Sequence, residues 1–402
     1  MAARASRRGK RDHPSQLTIA SFLSGLAARA ETRDPAVPAI RLLGVVVMMM
    51  GFGALIQASH AATIHDTHGF SSTVIEQVMS RVAGLVAILV GYRMGPAGIR
   101  RFLPVMTVGA IVILVLCYIE PFSVVRNGAR RWIDLGVRFQ PSEVARMVIV
   151  LWIADRCIQL GPRVSEFKRG VLPMLALVMT FFALILGETD LGGSLLLLIC
   201  ALSTMWVGGA HAVPMAVSMA AVGGGAFIGA TAFIPYIGNR IGMWFGDVQN
   251  EQVTEAVRAI SGGGMWGVGL GQGTARSAGV PYLQSDYVFA QVGEEFGLFG
   301  MLTVLGLILA FLWFSLQLVL SIRGRYEALA SFGLLVSVAI QAMLHVQVVS
   351  GLAPPKGTIL PFISDGGTSL VVSSLAVGLA LGSARKRSST ASSESWLSAP
   401  ST

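Results

Sequence analysis

The chain has 402 residues, of which 53% are apolar and only 13% are charged. Soluble globular domains carry roughly 25% charged residues, so this composition excludes an ordinary cytosolic enzyme. The formal net charge of +9 is compatible with a nucleic-acid partner or with membrane insertion, and the positions of the basic residues decide between them.

The chain begins with a polar, basic segment, 1–38, which lacks the compact apolar core of a signal peptide. We expect a retained cytoplasmic tail there, a membrane domain over 39–384 and a second cytoplasmic tail over 385–402. Runs of suitable length for a bilayer core of about 30 Å fill the middle region. They lie near 39–58, 72–93, 102–119, 143–160, 170–187, 190–208, 212–236, 287–319, 327–350 and 361–384. The predicted fold class is an all-α polytopic membrane protein with about ten transmembrane helices and a large extracytoplasmic loop, 237–285, between helices 7 and 8.

The basic residues are distributed unevenly between the two sides of the predicted bundle. Twenty of the 30 lysines and arginines fall in the inner tails, inner loops and adjacent helix ends, and 8 fall in the outer loops. The positive-inside rule therefore predicts a multi-pass protein of the cytoplasmic (inner) membrane with both termini in the cytoplasm. Nucleic-acid binding is excluded, because no soluble domain gathers the charge into one patch.

Four arginines oppose this bias in the single outer loop between the third and fourth helices: Arg126, Arg130, Arg131 and Arg138. Arginine binds phosphate oxygens through its planar fork of donors. The loop alone is equally compatible with anchoring to outer lipid headgroups and with binding an anionic substrate.

The large outer loop contains two recognisable segments. In NEQVTEAVRAI, four apolar residues share one helical face (Val253, Ala256, Val257 and Ile260), which predicts a helix along the outer surface. The following SGGGMWGVGLGQG lacks the GK[ST] ending of a nucleotide-binding loop. We therefore expect a flexible, substrate-gating loop and no ATP site.

Acidic residues near the eighth span are candidates for function, because ionisable groups at membrane depth are costly unless paired or hydrated. Ser285 and Asp286 open this span and, taken alone, suit a helix N-terminus. Glu294 and Glu295 lie about 12 Å deeper, beyond the reach of capping. We expect one of them to form a structural ion pair with Arg81 or Arg146.

Other polar residues have modest interpretations from the sequence. Glu188 and Asp190 lie at a tight turn and suit a turn or cap role. Lys356 lies between prolines and a glycine, and such rigid placement of a lone cation favours anion recognition. The three histidines of 60–68 favour a solvated loop over a metal site.

Several stretches in this order resemble the SEDS family (shape, elongation, division and sporulation), the FtsW/RodA-like peptidoglycan glycosyltransferases. They are NGARRWIDLGVRFQPSEVAR at 127–146, ETDLGGSLLLL at 188–198, GVGLGQG at 267–273 with SDYVFAQVGEEFGLFG at 285–300, and PPKGTILPFISDGGTSL at 354–370. The KG of the last stretch and the long basic N-terminal tail favour the FtsW side.

The resemblance implies that the chain polymerises lipid II, an undecaprenyl-pyrophosphate disaccharide-pentapeptide, at the outer membrane face during cell division or elongation. The family's catalytic aspartate corresponds to Asp286, which could take the proton of the attacking sugar hydroxyl. Arg130, Arg131 and Lys356 would then clamp the phosphate charge. No cofactor is certain, although a divalent cation could share that task. The resemblance also implies a class B penicillin-binding protein transpeptidase as partner.

Four positions depart from the family pattern: Tyr282, Gln284, His345 and Asp365, the last two standing where asparagine and tyrosine are usual. A buried, unpaired Asp365 would be costly. We expect it to pair with Lys356, against the alternative of an exposed turn residue. The complete assignment is Asp286 as catalytic residue, Arg130, Arg131, Trp132, Ser285 and Lys356 as substrate-binding residues, and Glu143, Asp190, Glu294, Glu295 and Asp365 as supporting residues.

Two other functions remain open at this point. A lipid II flippase or transporter would also need a polytopic bundle and cations facing a pyrophosphate, but in a central cavity open alternately to both sides. A non-catalytic scaffold for a cell-wall synthase would tolerate loss of Asp286.

Overall fold

The computed structural model describes residues 34–62, 67–120, 122–126, 129–134, 138–213, 215–217, 219–220, 224, 251–275, 282–353 and 356–385. The two predicted tails, apart from a few residues beside the helices, and most of the predicted seventh span lie outside these residues.

The described residues are mostly helical, and their longer helices are numbered in chain order. They are α1 (Ala36–Ala62), α2 (Thr67–Ile99), α3 (Leu103–Leu116), α4 (Pro141–Leu160), α5 (Leu172–Gly187), α6 (Leu191–Val207), α7 (Glu251–Gly263), α8 (Val288–Ser321), α9 (Arg325–Val349) and α10 (Gly367–Gly382). Short 3₁₀ and π-helical turns at Arg100–Phe102, Gly161–Ser165 and Phe167–Val171 connect neighbouring helices.

The prediction of a polytopic helical membrane protein is confirmed. Five helical stretches of the described chain are long and apolar enough to cross a bilayer: Ala36–Ala62, Thr73–Leu116, Phe167–Gly187, Val288–Ser321 and Arg325–Val349. Two shorter apolar helices, α6 and α10, pack among them. Large apolar side chains are exposed on the outside of the bundle, such as Val105 at 74%, as expected for a lipid-facing surface. The total of ten spans stays a prediction.

Helix α4 lies at the centre of the bundle. Its residues from Ala145 to Leu151 are all buried, and it packs against α3, α5, α6, α9 and α10. A helix that is apolar on every side is stable only when neighbours surround it, which explains this position for the sequence MVIVLWIA. The polar residues at the start of α4 are thereby held against the other helices.

Helices α2 and α10 make the most extensive contact in the described fold. A Cβ atom at Gly91 would lie 2.7 Å from the backbone nitrogen of Leu379 and 2.8 Å from the oxygen of Leu375. Small residues allow helix backbones to approach closely in a membrane. The glycine therefore sets the distance between these two helices, whose N-terminal parts lie near the site described below.

A small antiparallel sheet follows α3 and departs from the all-α expectation. Its strands are β1 (Ser123–Arg126), β2 (Ala129–Asp134) and β3 (Arg138–Phe139), in the order β1-β2-β3. Val124 is paired with Trp132, and Ile133 with Phe139. Apolar and polar residues do not alternate in ARRWID, and the strands are too short for a clear period, so the sequence did not predict this sheet.

The glycine-rich segment after α7 is hydrogen-bonded to α8, contrary to the expectation of a flexible loop. The amide of Val268 donates to the backbone carbonyl oxygen of Glu294 at 2.9 Å. The amide of Gly269 donates to the backbone carbonyl oxygen of Glu295 at 3.1 Å. Helix α8 makes room at Gly297, whose φ of 62° breaks the regular helix. The helix predicted in this loop is present as α7, which packs on α8, and its place along the outer surface stays a prediction.

Candidate functional site

A cavity of about 520 Å³ lies where β2, the starts of α4, α6 and α8 and the segment between α9 and α10 meet. Eight residues assigned from the sequence line it: Arg131, Trp132, Glu143, Asp190, Ser285, Asp286, Lys356 and Asp365. Its volume lies within the range of about 300–1,000 Å³ typical of ligand sites. The cavity is therefore the candidate active site.

Asp286 lies in a tight turn just before α8. Its amide donates to the carbonyl oxygen of Tyr282 at 2.9 Å, and Tyr282 has a φ of 60°. The helix itself begins at Val288, so Asp286 precedes the span that it was expected to open. A Cβ atom at Gly357 would lie 2.7 Å from Oδ2 of Asp286, so the carboxylate faces the backbone next to Lys356.

Three contacts fix the turn that carries Asp286. The backbone carbonyl oxygen of Ser285 accepts from Oγ of Ser364 at 2.7 Å. The backbone carbonyl oxygen of Gln284 accepts from the amide of Asp365 at 3.0 Å. Nε2 of Gln57 donates to the same Gln284 oxygen at 2.9 Å. Residues from α1 and from the segment before α10 therefore hold the catalytic candidate in position.

Lys356 is half-buried in the segment between α9 and α10, outside the spanning helices. Its aliphatic chain occupies the space that a side chain at position 192 would fill, so Gly192 makes room for it. Burial lowers the pKa of Lys356 to about 8, although the Asp190 carboxylate opposes this effect. The lysine is thus partly neutral near pH 8.

Asp190 links the cations of the cavity. Its carboxylate accepts from the Gly193 amide at 2.9 Å, which confirms the predicted cap of α6. It also accepts from Nε2 of Gln140 at 3.2 Å. Burial by itself would raise the pKa of Asp190, but the charges of Arg131 and Lys356 outweigh burial and hold it below its usual value. Asp190 therefore stays ionised between two cations.

The two arginines of β2 that were expected at the site differ in their position relative to the cavity. Arg131 lines the cavity, where it donates to the oxygen of Thr189 and lies 3.9 Å from Oδ1 of Asp190. Arg130 lies outside the lining, with its side chain 46% exposed and 3.7 Å from Glu120. Arg131 and the following residue, Trp132, both line the cavity, whereas Arg130 does not. The structure therefore does not support the predicted contact of Arg130 with the substrate.

A buried polar network forms one wall of the cavity at the start of α4. Nη2 of Arg146 donates to Oε2 of Glu143 and to Oε1 of Gln341, both at 2.6 Å. Each of the three side chains lines the cavity. The intramembrane arginine thus has its ionic partner on its own helix, one turn away.

The expected pairing of Glu294 or Glu295 with an intramembrane arginine is wrong. Oε1 of Glu294 accepts from the amides of Thr274 and Ala275 at 2.6 and 3.0 Å. Glu295 accepts from Oγ of Ser59 at 2.6 Å. Neither residue lines the cavity. Both carboxylates hold the glycine-rich segment, whose backbone donors the sequence did not place beside them.

The expected pair of Lys356 and Asp365 is also wrong. Asp365 is near Arg81 and accepts a hydrogen bond from Gln77, both on α2, while Lys356 faces Asp190. Burial raises the pKa of Asp365, and these two partners oppose the shift. Asp365 does have a cationic neighbour, but α2 supplies it because α2 and α10 pack so closely.

Several polar residues of the cavity were missed from the sequence, among them Gln140, Gln252 and Gln341. Gln341 offered a signal, because a glutamine in the middle of an apolar span is costly unless it is hydrogen-bonded. The other two lie in or beside loops, where polar residues are too common to be distinctive. Gln284, noted above as a departure from the family pattern, also lines the cavity.

Comparison with known proteins shows the family of the chain. A model of the FtsW/RodA/SpoVE family, described as cell cycle proteins, matches residues 39–389. The chain belongs to the FtsW/RodA/SpoVE family. The SEDS resemblance read from the sequence motifs is thereby confirmed.

Relatives within this family align over nearly their whole lengths. Stage V sporulation protein E of Bacillus subtilis (strain 168) is 28% identical over 87% of this chain and 97% of its own length. A probable peptidoglycan glycosyltransferase FtsW of Nitrosococcus halophilus (strain Nc4) is 30% identical over 86% of this chain and 91% of its own.

Solved structures share the fold. A chain from a structure described as structural coordination of polymerization and crosslinking by a peptidoglycan synthase complex has a TM-score of 0.70 and 22% identity, covering 87% of this chain and 98% of its own. The rod shape determining protein RodA of Thermus thermophilus has a TM-score of 0.63 and 22% identity, covering 86% of this chain and 96% of its own.

Proposed function

We propose that this FtsW/RodA/SpoVE family member is a peptidoglycan glycosyltransferase that polymerises lipid II at the outer face of the membrane. One observation carries the proposal: the same cavity is lined by a carboxylate just before α8, Asp286, and by two cations, Arg131 and Lys356. The names of relatives such as the Nitrosococcus halophilus protein support the reaction class.

The carboxylate of Asp286 acts as the general base. It removes the proton from the attacking sugar hydroxyl, whose oxygen forms a bond to the anomeric carbon of the other substrate. The bond between that carbon and the pyrophosphate oxygen breaks, and the pyrophosphate leaves with the electron pair. The proton ends on Asp286 and passes to solvent before the next cycle.

Arg131 and Lys356 stabilise the leaving pyrophosphate, because fixed cations in a partly dehydrated site favour the charge that develops there. The charge of Asp190 interacts with both cations, so the carboxylate lies close to each of them in the cavity. No group of three His, Cys, Asp or Glu side chains in the described chain is placed to hold a metal ion.

The decisive experiment incubates the purified protein in liposomes with labelled lipid II and separates the products by length. We expect glycan chains from the wild type and a raised lipid II requirement for Arg131→Gln and Lys356→Gln. A flippase would instead move lipid II between leaflets without forming chains, and a scaffold would do neither. Arg130→Gln is the matched control, because Arg130 has the same charge but lies outside the cavity.

The proposed partner is a single-span class B penicillin-binding protein transpeptidase, which would crosslink the glycan made here. The similar chain from a structure of coordinated polymerization and crosslinking supports this choice. Co-purification from native membranes tests it. Recovery of a fully active, partner-free protein at native expression would contradict an obligate complex.

The proposed orientation places both termini in the cytoplasm and the cavity outside. Support comes from the excess of basic residues at the opposite end, where Arg100 binds Asp155 at 2.5 Å and lies over the ring of Tyr326. Single-cysteine labelling from outside should reach sites in 251–260 but not in 162–169. Labelling of the latter loop from outside would overturn the orientation.

A further inference from the structure

Two side chains of α9, Gln341 and His345, lie one helical turn apart and hold consecutive residues of the same segment. Nδ1 of His345 lies 2.5 Å from the carbonyl oxygen of Thr358, and Nε2 of Gln341 lies 3.2 Å from that of Ile359. Both side chains are buried, His345 completely and Gln341 at 2% exposed. Residues at positions i and i+4 project from the same helix face, so α9 forms hydrogen bonds to the segment at two successive residues.

The direction of each hydrogen bond is fixed by chemistry. A carbonyl oxygen only accepts, so Nδ1 of His345 carries the proton at Thr358. The amide of Gln341 is oriented by Arg146, which donates to Oε1 and so turns the amino group towards Ile359 and Ser369. The second ring nitrogen of His345, Nε2, is buried without a hydrogen-bond partner in the described part of the chain. The contact with Thr358 is therefore the polar function of this histidine.

The segment held in this way carries the groups that face the substrate. Lys356 and Gly357 directly precede Thr358, and both line the cavity. Gly357 lies against the carboxylate of Asp286, while the lysine chain lies beside Gly192 and near Asp190. A shift of this segment would move the cation relative to the general base.

We propose that Gln341 and His345 are positioning residues that set the place of Lys356 against Asp286 by fixing the carbonyl groups of Thr358 and Ile359. The inference rests on the proposed function for its catalytic consequence, but the contact between α9 and the segment is independent of it. Small misplacements of a catalytic group cost up to about 100-fold in rate, so two such anchors have a direct effect on turnover.

The test compares His345→Leu and Gln341→Met, which remove each donor at similar volume, with His345→Asn, which keeps a short amide donor. Ser331→Ala is the matched control, because Ser331 is also fully buried on α9 but bonds to Ser383 at the other end of the helix. The full-length protein in nanodiscs is used for every variant. Two quantities are measured: amide hydrogen exchange of the peptide covering 356–360, and lipid II polymerisation resolved into kcat and KM.

The expected result has three parts. Exchange of 356–360 rises in His345→Leu and Gln341→Met but not in Ser331→Ala. Their kcat falls on the order of 10- to 100-fold, with a smaller rise in KM, and His345→Asn recovers most of it. In a Lys356→Met background the same two changes cause no further loss, because residues acting through one group are not additive.

Two outcomes overturn the inference: unchanged exchange of 356–360 in both variants, or losses that multiply with that of Lys356→Met. If His345→Leu fails to fold, Gln341→Met alone decides, since its hydrogen bond to Ile359 is separate. Raised exchange together with a wild type that makes no glycan from lipid II would leave the anchor standing and reject the proposed function instead.

Discussion

Oδ1 of Asp190 lies 3.9 Å from Nη1 of Arg131, and the same side chain caps α6 through the Gly193 amide. This carboxylate joins a helix end to the cations of the cavity. A buried charge is tolerated when opposite charges and hydrogen bonds surround it, and Asp190 has both. The cations are consequently held at the cavity even before an anionic substrate binds.

Polymerisation should decline as the pH rises through about 8, because burial lowers the pKa of Lys356 to about 8. Below that value the lysine carries the positive charge that the pyrophosphate needs, and above it the charge is lost. Initial rates measured between pH 6 and 10 check this, by the kinetics described above. In Lys356→Arg the decline should vanish, since arginine stays charged throughout this range. An unchanged alkaline decline in that variant would assign it to another group.

Asp190→Asn should move the same alkaline decline to lower pH. The carboxylate of Asp190 raises the pKa of Lys356 against the effect of burial, so removing its charge lets that pKa fall further. The pH-rate profile of the variant is compared with that of Glu255→Gln, which removes a carboxylate from the partly exposed pair with Arg258. A shift to higher pH, or an equal shift in both variants, would contradict the arrangement.

Glu294→Ala should destabilise the docked glycine-rich segment. The change removes the acceptor of the Thr274 and Ala275 amides, and a buried donor without a partner costs about 1–3 kcal/mol. We expect a lower Tm and faster exchange of 268–275. Glu255→Ala serves as the control, because an exposed ion pair contributes about 0–1 kcal/mol. Equal Tm values for the two variants would show that the segment does not depend on Glu294.

Gly91→Ala should lower the Tm, although alanine favours helices. Its Cβ would lie 2.7 Å from a backbone atom of α10, so the two helices must separate. Gly109→Ala on α3 is the matched control, with nothing within 4 Å of its Cβ. There alanine should stabilise the helix by about 0.5–1 kcal/mol. Thermal unfolding in one detergent decides, and a stabilised Gly91→Ala would contradict the close packing.

The sequence predicted most helices and several of the residues that line the cavity, because their signals are contained in short motifs. Bilayer-length apolar runs gave most spans, and the order of motifs brought Asp286, Arg131 and Lys356 to one site. What it could not predict depends on distant partners. Asp365 meets Arg81 instead of Lys356 because α2 packs on α10, and Glu294 binds backbone amides of a segment 20 residues earlier. The short strands of the sheet show no clear period in the sequence, so the different positions of Arg130 and Arg131 could not be predicted.

In the proposed reaction, Asp286 takes the proton of the attacking hydroxyl. The most direct test is the rate of glycan formation by purified Asp286→Asn with saturating labelled lipid II, alongside Glu255→Gln and a binding measurement for each protein. A general base contributes about 10²- to 10⁴-fold, so Asp286→Asn should bind lipid II yet lose at least about 100-fold in rate, while Glu255→Gln keeps its activity. Glycan chains formed by folded Asp286→Asn at a near wild-type rate would exclude Asp286 as the general base.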